Sequence, residues 1–442
     1  MSVPFTLPPS RERVIAAGAT PLPSWVRPVS LAAFGLGLAI FLAGAIAGSD
    51  RAWHAFHVNW LFFTTISSAA VTFVAAQRIT TARWSRAVIR FSEGFVAFLP
   101  LALLGLVVMV VFGRGHVYPW WNSLAELPHE KQVYLGHRFF AARSVLVFAA
   151  LAALQLWYVW TSVRLDVGIT PEGGAKWAAG LRARMRAGFG DERRELHRTH
   201  SRQGKLAVFV ILAFAFGWIV LAWDQSMSLD PHFFSTMYGW HVFMGGWLVS
   251  LMVLAALVRF WRRHLAADDI ILETHYHDIG KLCFGFTAFW GYLTFAQFLV
   301  IWYGNLPEET HFFTLRLTHA WTNWTLACVW LTFAIPFFGL LGVKPKLYSP
   351  AMLFFAACSF TGLWIARYVE VYPSVYGPVG NAPFSFWEVG IFLGFLGAWT
   401  FCYAAFMDAF PKFRVLLMTS PHRDEVQVPV DPETMEPLPA HE

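Results

Sequence analysis

Charged side chains are scarce: Asp, Glu, Lys and Arg make up 14% of the 442 residues, against roughly 25% in an ordinary soluble domain. That shortage, together with 57% hydrophobic residues and a mean hydropathy of +0.50, excludes a water-soluble globular protein. Cysteine is scarce too. Cys283, Cys328, Cys358 and Cys402 fall one to each of the last four apolar runs and form no Cys-x-x-Cys or Cys-x-x-Cys-His spacing. Neither an iron–sulfur cluster nor a covalently attached haem is therefore encoded, and the four thiols read as small buried hydrophobes. A haem b would need imidazoles facing each other at matching depth. His54, His57 and His241 all lie near one surface, so no redox centre is expected in this chain. The first 26 residues also lack the apolar core and small-residue cleavage site of a removable signal peptide.

Apolar length is what the chain has in plenty. Crossing a hydrocarbon core of about 30 Å takes roughly 20 residues. Ten runs qualify, near 27–48, 54–78, 88–112, 139–163, 205–223, 236–258, 280–303, 317–342, 349–368 and 386–409. Lipid leaves no backbone group unpaired, so each run is expected to be a helix. With the amino terminus inside, the inside segments hold 26 of the 33 Lys and Arg residues, and every loop obeys the positive-inside rule. The net charge of +6 is thus an insertion signal, with no nucleic-acid footprint in it.

The expected fold is an all-α integral membrane protein with ten transmembrane helices and both termini cytoplasmic. An inside segment 1–26 precedes a ten-helix domain 27–410, which carries a basic inside loop 164–205; a tail 411–442 follows. The acidic, Pro-rich part from Pro421 onward has little to bury and is expected to be mobile or draped on a partner. Within the basic loop, Trp177–His200 can form an amphipathic helix lying on an anionic leaflet. Trp53–Leu61 overlays Trp240–Leu248 with five identities in nine positions, at the starts of the second and sixth runs. Two four-helix bundles, runs 2–5 and 6–9, related as parallel repeats, would explain it.

Ionisable groups at membrane depth are costly and need a role. On the outer side, Asp224 closes the fifth run, and Asp230 and His232 follow beside Pro231. A carboxylate beside a histidine suits proton exchange, although Asp230 can equally cap a helix that starts at Pro231. Glu308, Glu309 and His311 lie on the same side, where either glutamate can pair with Arg316; Arg367 and Glu370 of the ninth run face them, and His137, Arg138 and Arg143 enter the fourth run there. On the inner side, His277, Asp278 and Lys281 share one helical flank. Beyond them Thr287, Trp290, Thr294 and Gln297 make a mid-membrane stripe, suited to a water chain or to helix–helix glue. Glu93 sits by Arg90 and reads as a snorkelling pair.

The runs Trp223–Phe243 and His277–Thr310 resemble the ActF-type membrane subunits of bacterial alternative complex III, in the NrfD/PsrC-like family. Within the second run, Asp278-Ile279-Gly280-Lys281 and Ile301-Trp302-Tyr303-Gly304-Asn305-Leu306-Pro307-Glu308-Glu309-Thr310 carry the likeness, and Trp53-His54 and Arg83-Trp84 sit where that family has comparable residues. The resemblance covers roughly residues 50–375 and excludes both termini. It implies ten helices arranged as two four-helix bundles, in the bacterial cytoplasmic (inner) membrane. It also implies a place in a quinol:electron-acceptor oxidoreductase whose substrate is a quinol such as menaquinol. Haem c and iron–sulfur clusters would be carried by partner subunits and none by this chain. The implied partners are a sister NrfD-like membrane subunit, a periplasmic iron–sulfur subunit, haem c subunits and a terminal oxidase.

On that resemblance Asp224, Asp230, His232 and Glu308 belong to an outer proton half-channel and His277, Asp278 and Lys281 to an inner one. His137, Arg143 and Glu93 stand as further candidates. Two other readings remain open at this point. In one the chain oxidises quinol directly, with His54 or His137 bonding a quinol hydroxyl; in the other it only positions its partners. A freestanding transporter is disfavoured, because no paired Gly/Pro breaks interrupt matching spans.

Overall fold

A computed structural model describes residues 9–423. Among them there are helices and no strands, and nine helices are long and apolar enough to cross a membrane. These are Val26–Ile46, Asp50–Ile79, Arg90–Val117, His137–Ile169, Glu192–Leu229, Thr236–His264, Glu273–Gly304, Ser349–Tyr376 and Phe386–Ala409. The run expected at 317–342 is helical but divided. A 3-10 turn, His319–Trp321, leads into Thr322–Val329, a π stretch Trp330–Ala334 and then Ile335–Gly339. Pro336 explains the subdivision: it has no N–H to give, so the hydrogen-bonding register shifts just ahead of it.

Asp50–Ile79 is the central helix, with its apolar window wholly buried. It packs against Arg90–Val117 and Glu192–Leu229, and His137–Ile169 closes a four-membered ring with those two. A second ring runs from Thr236–His264 to Glu273–Gly304, on through the divided 319–339 segment to Ser349–Tyr376, and back to its start. The rings meet where Asp50–Ile79 touches Thr236–His264, so the two overlaid nine-residue segments lie on the two helices at the seam. Gly246 allows this approach: a Cβ there would stand 2.7 Å from the Thr65 Cβ. Val26–Ile46 and Phe386–Ala409 lie outside the rings and pack on each other through Gly37 and Gly394, where a Cβ on Gly37 would fall 2.2 Å from the Gly394 Cα. Small residues of this kind let membrane helices gain dispersion contact at close range.

The amino- and carboxy-terminal segments meet at one end of the bundle. Arg11–Ala19 is a helix there; Arg11 pairs with Glu192 at 2.8 Å, and Lys412 donates to the Gly18 carbonyl at 3.0 Å. At the same end Arg259 donates to the Lys346 carbonyl at 2.6 Å. Two expectations are corrected in this region. Trp177–His200 is not one amphipathic helix: Ala179–Arg186 stops, Gly188 turns with φ +66°, and a new helix starts at Glu192 capped by Asp191. Arg182, moreover, is buried and donates to the Ala175 and Ala409 carbonyls instead of facing a leaflet. Cys283, Cys328 and Cys358 are buried and Cys402 is half-buried, all four as free thiols. The mobile or draped tail expected from Pro421 falls, beyond Arg423, outside the described residues.

Candidate functional site: a buried polar column

Four helices of the first ring place polar side chains along its axis. At the end remote from the termini, Asp224 is wholly buried. Arg143 from the neighbouring helix grips both of its oxygens, with Nη2 at 2.7 Å from Oδ1 and Nε at 2.9 Å from Oδ2. Ser144 Oγ donates to Oδ2 at 3.0 Å and Tyr134 to Oδ1 at 3.2 Å. The Arg143 guanidinium also lies 3.8 Å over the Tyr134 ring. A bidentate arginine with two hydroxyl donors is what a buried carboxylate needs to stay ionised. Outside the spans, burial raises the Tyr134 phenol above its ordinary value, with the Asp224 charge acting in the same direction.

The polar line continues inward. Gln225 donates to Ser144 at 3.1 Å and accepts from Tyr118 at 2.5 Å. Next comes His57, fully buried beside the Gln225 backbone, with no well-aligned hydrogen bond on either ring nitrogen among the described residues. Such an orphan costs about 1–3 kcal/mol, and a role for it would explain why that cost is tolerated. Deeper, Gln155 accepts from Ser68 Oγ at 3.1 Å and donates to the Ser68 carbonyl at 2.8 Å and to Thr72 at 2.9 Å; Trp218 donates to Ser68 Oγ at 3.0 Å. One turn further along its helix, the buried Tyr158 hydroxyl lies beside Arg414 of the cluster described next.

The other end of the column is an ionic cluster. Arg90 bonds Glu93 and Asp166, and Arg414 bonds the second oxygen of Glu93. Asp166 also accepts from the Leu416 backbone N–H at 2.9 Å. Two acids and two bases balance, which makes burial of all four tolerable. The expected snorkelling of Glu93 is corrected here, because Glu93 and Arg90 are both 0% exposed. A cavity of about 50 Å³ beside Arg414, lined also by Arg78, His200 and Gln203, has room for water at this end.

Other sequence candidates fall elsewhere. No helix starts at Pro231, so Asp230 is no N-cap; its carbonyl takes the Phe233 N–H at 3.1 Å, and the next helix opens at Thr236 after Ser235. His232 is exposed, as is Glu308. The proposed pairing of Glu308 or Glu309 with Arg316 is replaced by carbonyls and a hydroxyl: Arg316 donates to the Phe312 and Glu370 carbonyls, each at 2.9 Å, and to Ser374 Oγ at 2.7 Å. Asp278 and Lys281 do pair, at 2.8 Å, but Lys281 is 56% exposed, and such surface pairs contribute little. No described contact joins His277 to them.

The mid-membrane stripe is mostly self-satisfied. Thr287 bonds its own Cys283 carbonyl at 2.8 Å, Thr294 bonds the Trp290 carbonyl at 2.9 Å, and Gln297 reaches Ser235 at 3.2 Å. The second ring holds its charge nearby: Arg367 contacts Glu370 at 2.7 Å, though without hydrogen-bond alignment, and His241 stands 3.6 Å from Glu370 and 3.1 Å from Thr294. His54 uses both ring nitrogens, on Tyr376 at 3.1 Å and on the His116 carbonyl at 2.8 Å. His137 stacks on Trp121, 4.1 Å between centroids, and bonds the Trp121 carbonyl at 2.9 Å.

Sequence reasoning missed Asp166, Arg414, Gln155 and His57 as column members. Gln155 carried the available signal, an amide inside the fourth apolar run, whereas Asp166 lies just past that run, in the segment read as the inside loop. Compared with known proteins, the chain matches no family model and no curated protein.

Proposed function

We propose that this chain is a proton-conducting membrane subunit of a quinol:electron-acceptor oxidoreductase complex of the alternative complex III type, seated in a bacterial cytoplasmic membrane with haem c and iron–sulfur clusters on its partners. The oxidoreductase assignment rests on the sequence resemblance. The proton-conducting role rests on one observation: buried ionisable groups close both ends of a polar column through one four-helix ring, Asp224–Arg143 at one end and Glu93–Arg90–Asp166–Arg414 at the other.

Parity supports ten crossings. Nine would leave the termini at opposite ends, whereas Lys412 touches Gly18, so the divided 319–339 segment counts as the tenth. In this reading the termini are cytoplasmic, Asp224 is the outer proton site and Glu93 the inner one. His57 and Gln155 bridge them. The ion pairs at the two ends act as gates, because a carboxylate can take a proton only after its arginine lets go.

The test is Asp224→Asn and Glu93→Gln in the intact complex reconstituted in vesicles. Retained quinol oxidation with proton ejection reduced about tenfold or more is the expected result. Unchanged proton ejection in both variants would sink the reading, and loss of quinol oxidation with intact assembly would favour direct quinol chemistry in this chain.

A further inference from the structure

A second cavity, of about 750 Å³, opens at the end of the bundle where the termini meet. It lies among the Arg11–Ala19 helix, the segment after Ile169 and the stretch following Ala409, beside the start of Val26–Ile46. Three helices long and apolar enough to cross a membrane therefore end or begin at its rim. Its size is in the range of built ligand sites, roughly 300–1,000 Å³.

The lining carries four cations and two carboxylates. Both carboxylates are already paired, Asp408 with Arg27 at 2.8 Å and Glu172 with Arg186 at 3.0 Å. Arg182 and Lys412 remain without a carboxylate partner among the described residues. Arg182 is 8% exposed and spends one nitrogen on two backbone carbonyls. Lys412 is 4% exposed and uses one of its three N–H groups, on Gly18. Burial lowers the Lys412 ammonium below its usual value, and Asp408, already closed by Arg27, offsets this only in part. Two buried positive charges in a largely apolar pocket ask for an anion. The apolar part with surface still open is supplied by residues such as Ile15, Leu22 and Phe410.

We propose that this cavity holds one anionic phospholipid, its phosphate against Lys412 and Arg182 and the upper part of its acyl chains along Ile15, Leu22 and Phe410. Basic pockets between membrane helices bind such headgroups. A free phosphate would satisfy the cations but leave the apolar wall uncovered. The lipid would join the first and last membrane helices to the segment after Ile169. This inference needs only the membrane-spanning fold and stands apart from proton conduction.

The test uses the full chain with whatever subunits purify with it, washed in detergent and examined by native mass spectrometry after adding back phosphatidylglycerol or phosphatidylcholine. The expected result is one phosphatidylglycerol retained per chain, no comparable phosphatidylcholine, and retention weakened about fivefold in each of Lys412→Gln and Arg182→Gln, the worth of one basic residue near an anionic lipid. Equal retention of both lipids by the unaltered chain would overturn the proposal, and needs no variant to fold. So would displacement by millimolar inorganic phosphate, which would mark a phosphate site. Removal of residues 424–442 provides the last arm: stronger lipid uptake after that deletion would make the acidic tail the occupant and also overturn it.

Discussion

Arg143 holds Asp224 through both carboxylate oxygens, at 2.7 and 2.9 Å, in a place where neither the acid nor its neighbours Ser144 and Gln225 reach solvent. Structure and chemistry conflict at such a pair. Stability wants the ions locked together, whereas the proton transfer proposed above would need them to part.

Removing Arg143 alone should therefore be the most damaging change at this end. Arg143→Gln leaves a buried carboxylate uncompensated, a loss of about 3–5 kcal/mol. Asp224→Asn combined with Arg143→Gln should recover much of that loss. Unfolding of the detergent-solubilised protein by denaturing surfactant measures both. A double variant no better than the single one would mean the pair is not coupled.

The cluster at the opposite end should behave as a unit. Glu93→Gln and Arg414→Met each expose the other member's partner, so their effects should fall short of additive by at least about 1 kcal/mol. A double-variant cycle in the same unfolding assay is the check.

His57 gives the sharpest separation between folding and function. Its two nitrogens are buried without a well-aligned hydrogen bond among the described residues. His57→Phe should leave stability unchanged or raise it by up to about 1–3 kcal/mol, the cost of an unmet buried polar group, while lowering proton ejection. A stability loss above that range would show that the imidazole has a partner.

Close helix packing can be probed by adding a single methyl. Gly37→Ala puts carbon where the Gly394 backbone already stands, whereas Gly35 has nothing within 4 Å of such an atom. Gly37→Ala should reduce thermal stability and Gly35→Ala should be neutral or slightly stabilising, given alanine's better helix propensity of about 1 kcal/mol. Equal effects would contradict the contact.

Orientation is open to direct labelling. With cytoplasmic termini, Thr80→Cys should resist a membrane-impermeant maleimide in intact cells, and Glu126→Cys should react. The reverse pattern would invert the charge-based topology.

Much of the fold was legible because apolar run length is a local property, and nine of the ten runs match long helices. The eighth run shows the limit: Pro336 leaves its apolar composition intact and changes the hydrogen-bonding register. The polar site was far less legible. Thr287, Trp290, Thr294 and Gln297 recur at helical spacing on a single helix, so periodicity finds them, yet two of the three hydroxyl and amide groups turn back on their own helix. The column instead draws Ser68, Gln155 and Trp218 from three helices far apart in the chain. Arg414 reaches Glu93 across 321 positions. Contacts of that kind have no period to detect, and they exist only once the ring closes.

The helix Asp50–Ile79 carries a final implication for biogenesis. Its apolar window has a mean hydropathy of 1.5, among the lower values of the nine, and it is wholly enclosed by protein. Sheltered in this way, it can tolerate His54, His57, Asn59 and a series of serines and threonines. The shelter does not yet exist when the segment leaves the ribosome, second among the membrane helices and ahead of most of its wall. Until the later helices arrive, it needs an insertase or chaperone to shield those groups from acyl chains, so stalling synthesis before Thr236 should make the nascent protein a target for membrane proteolysis.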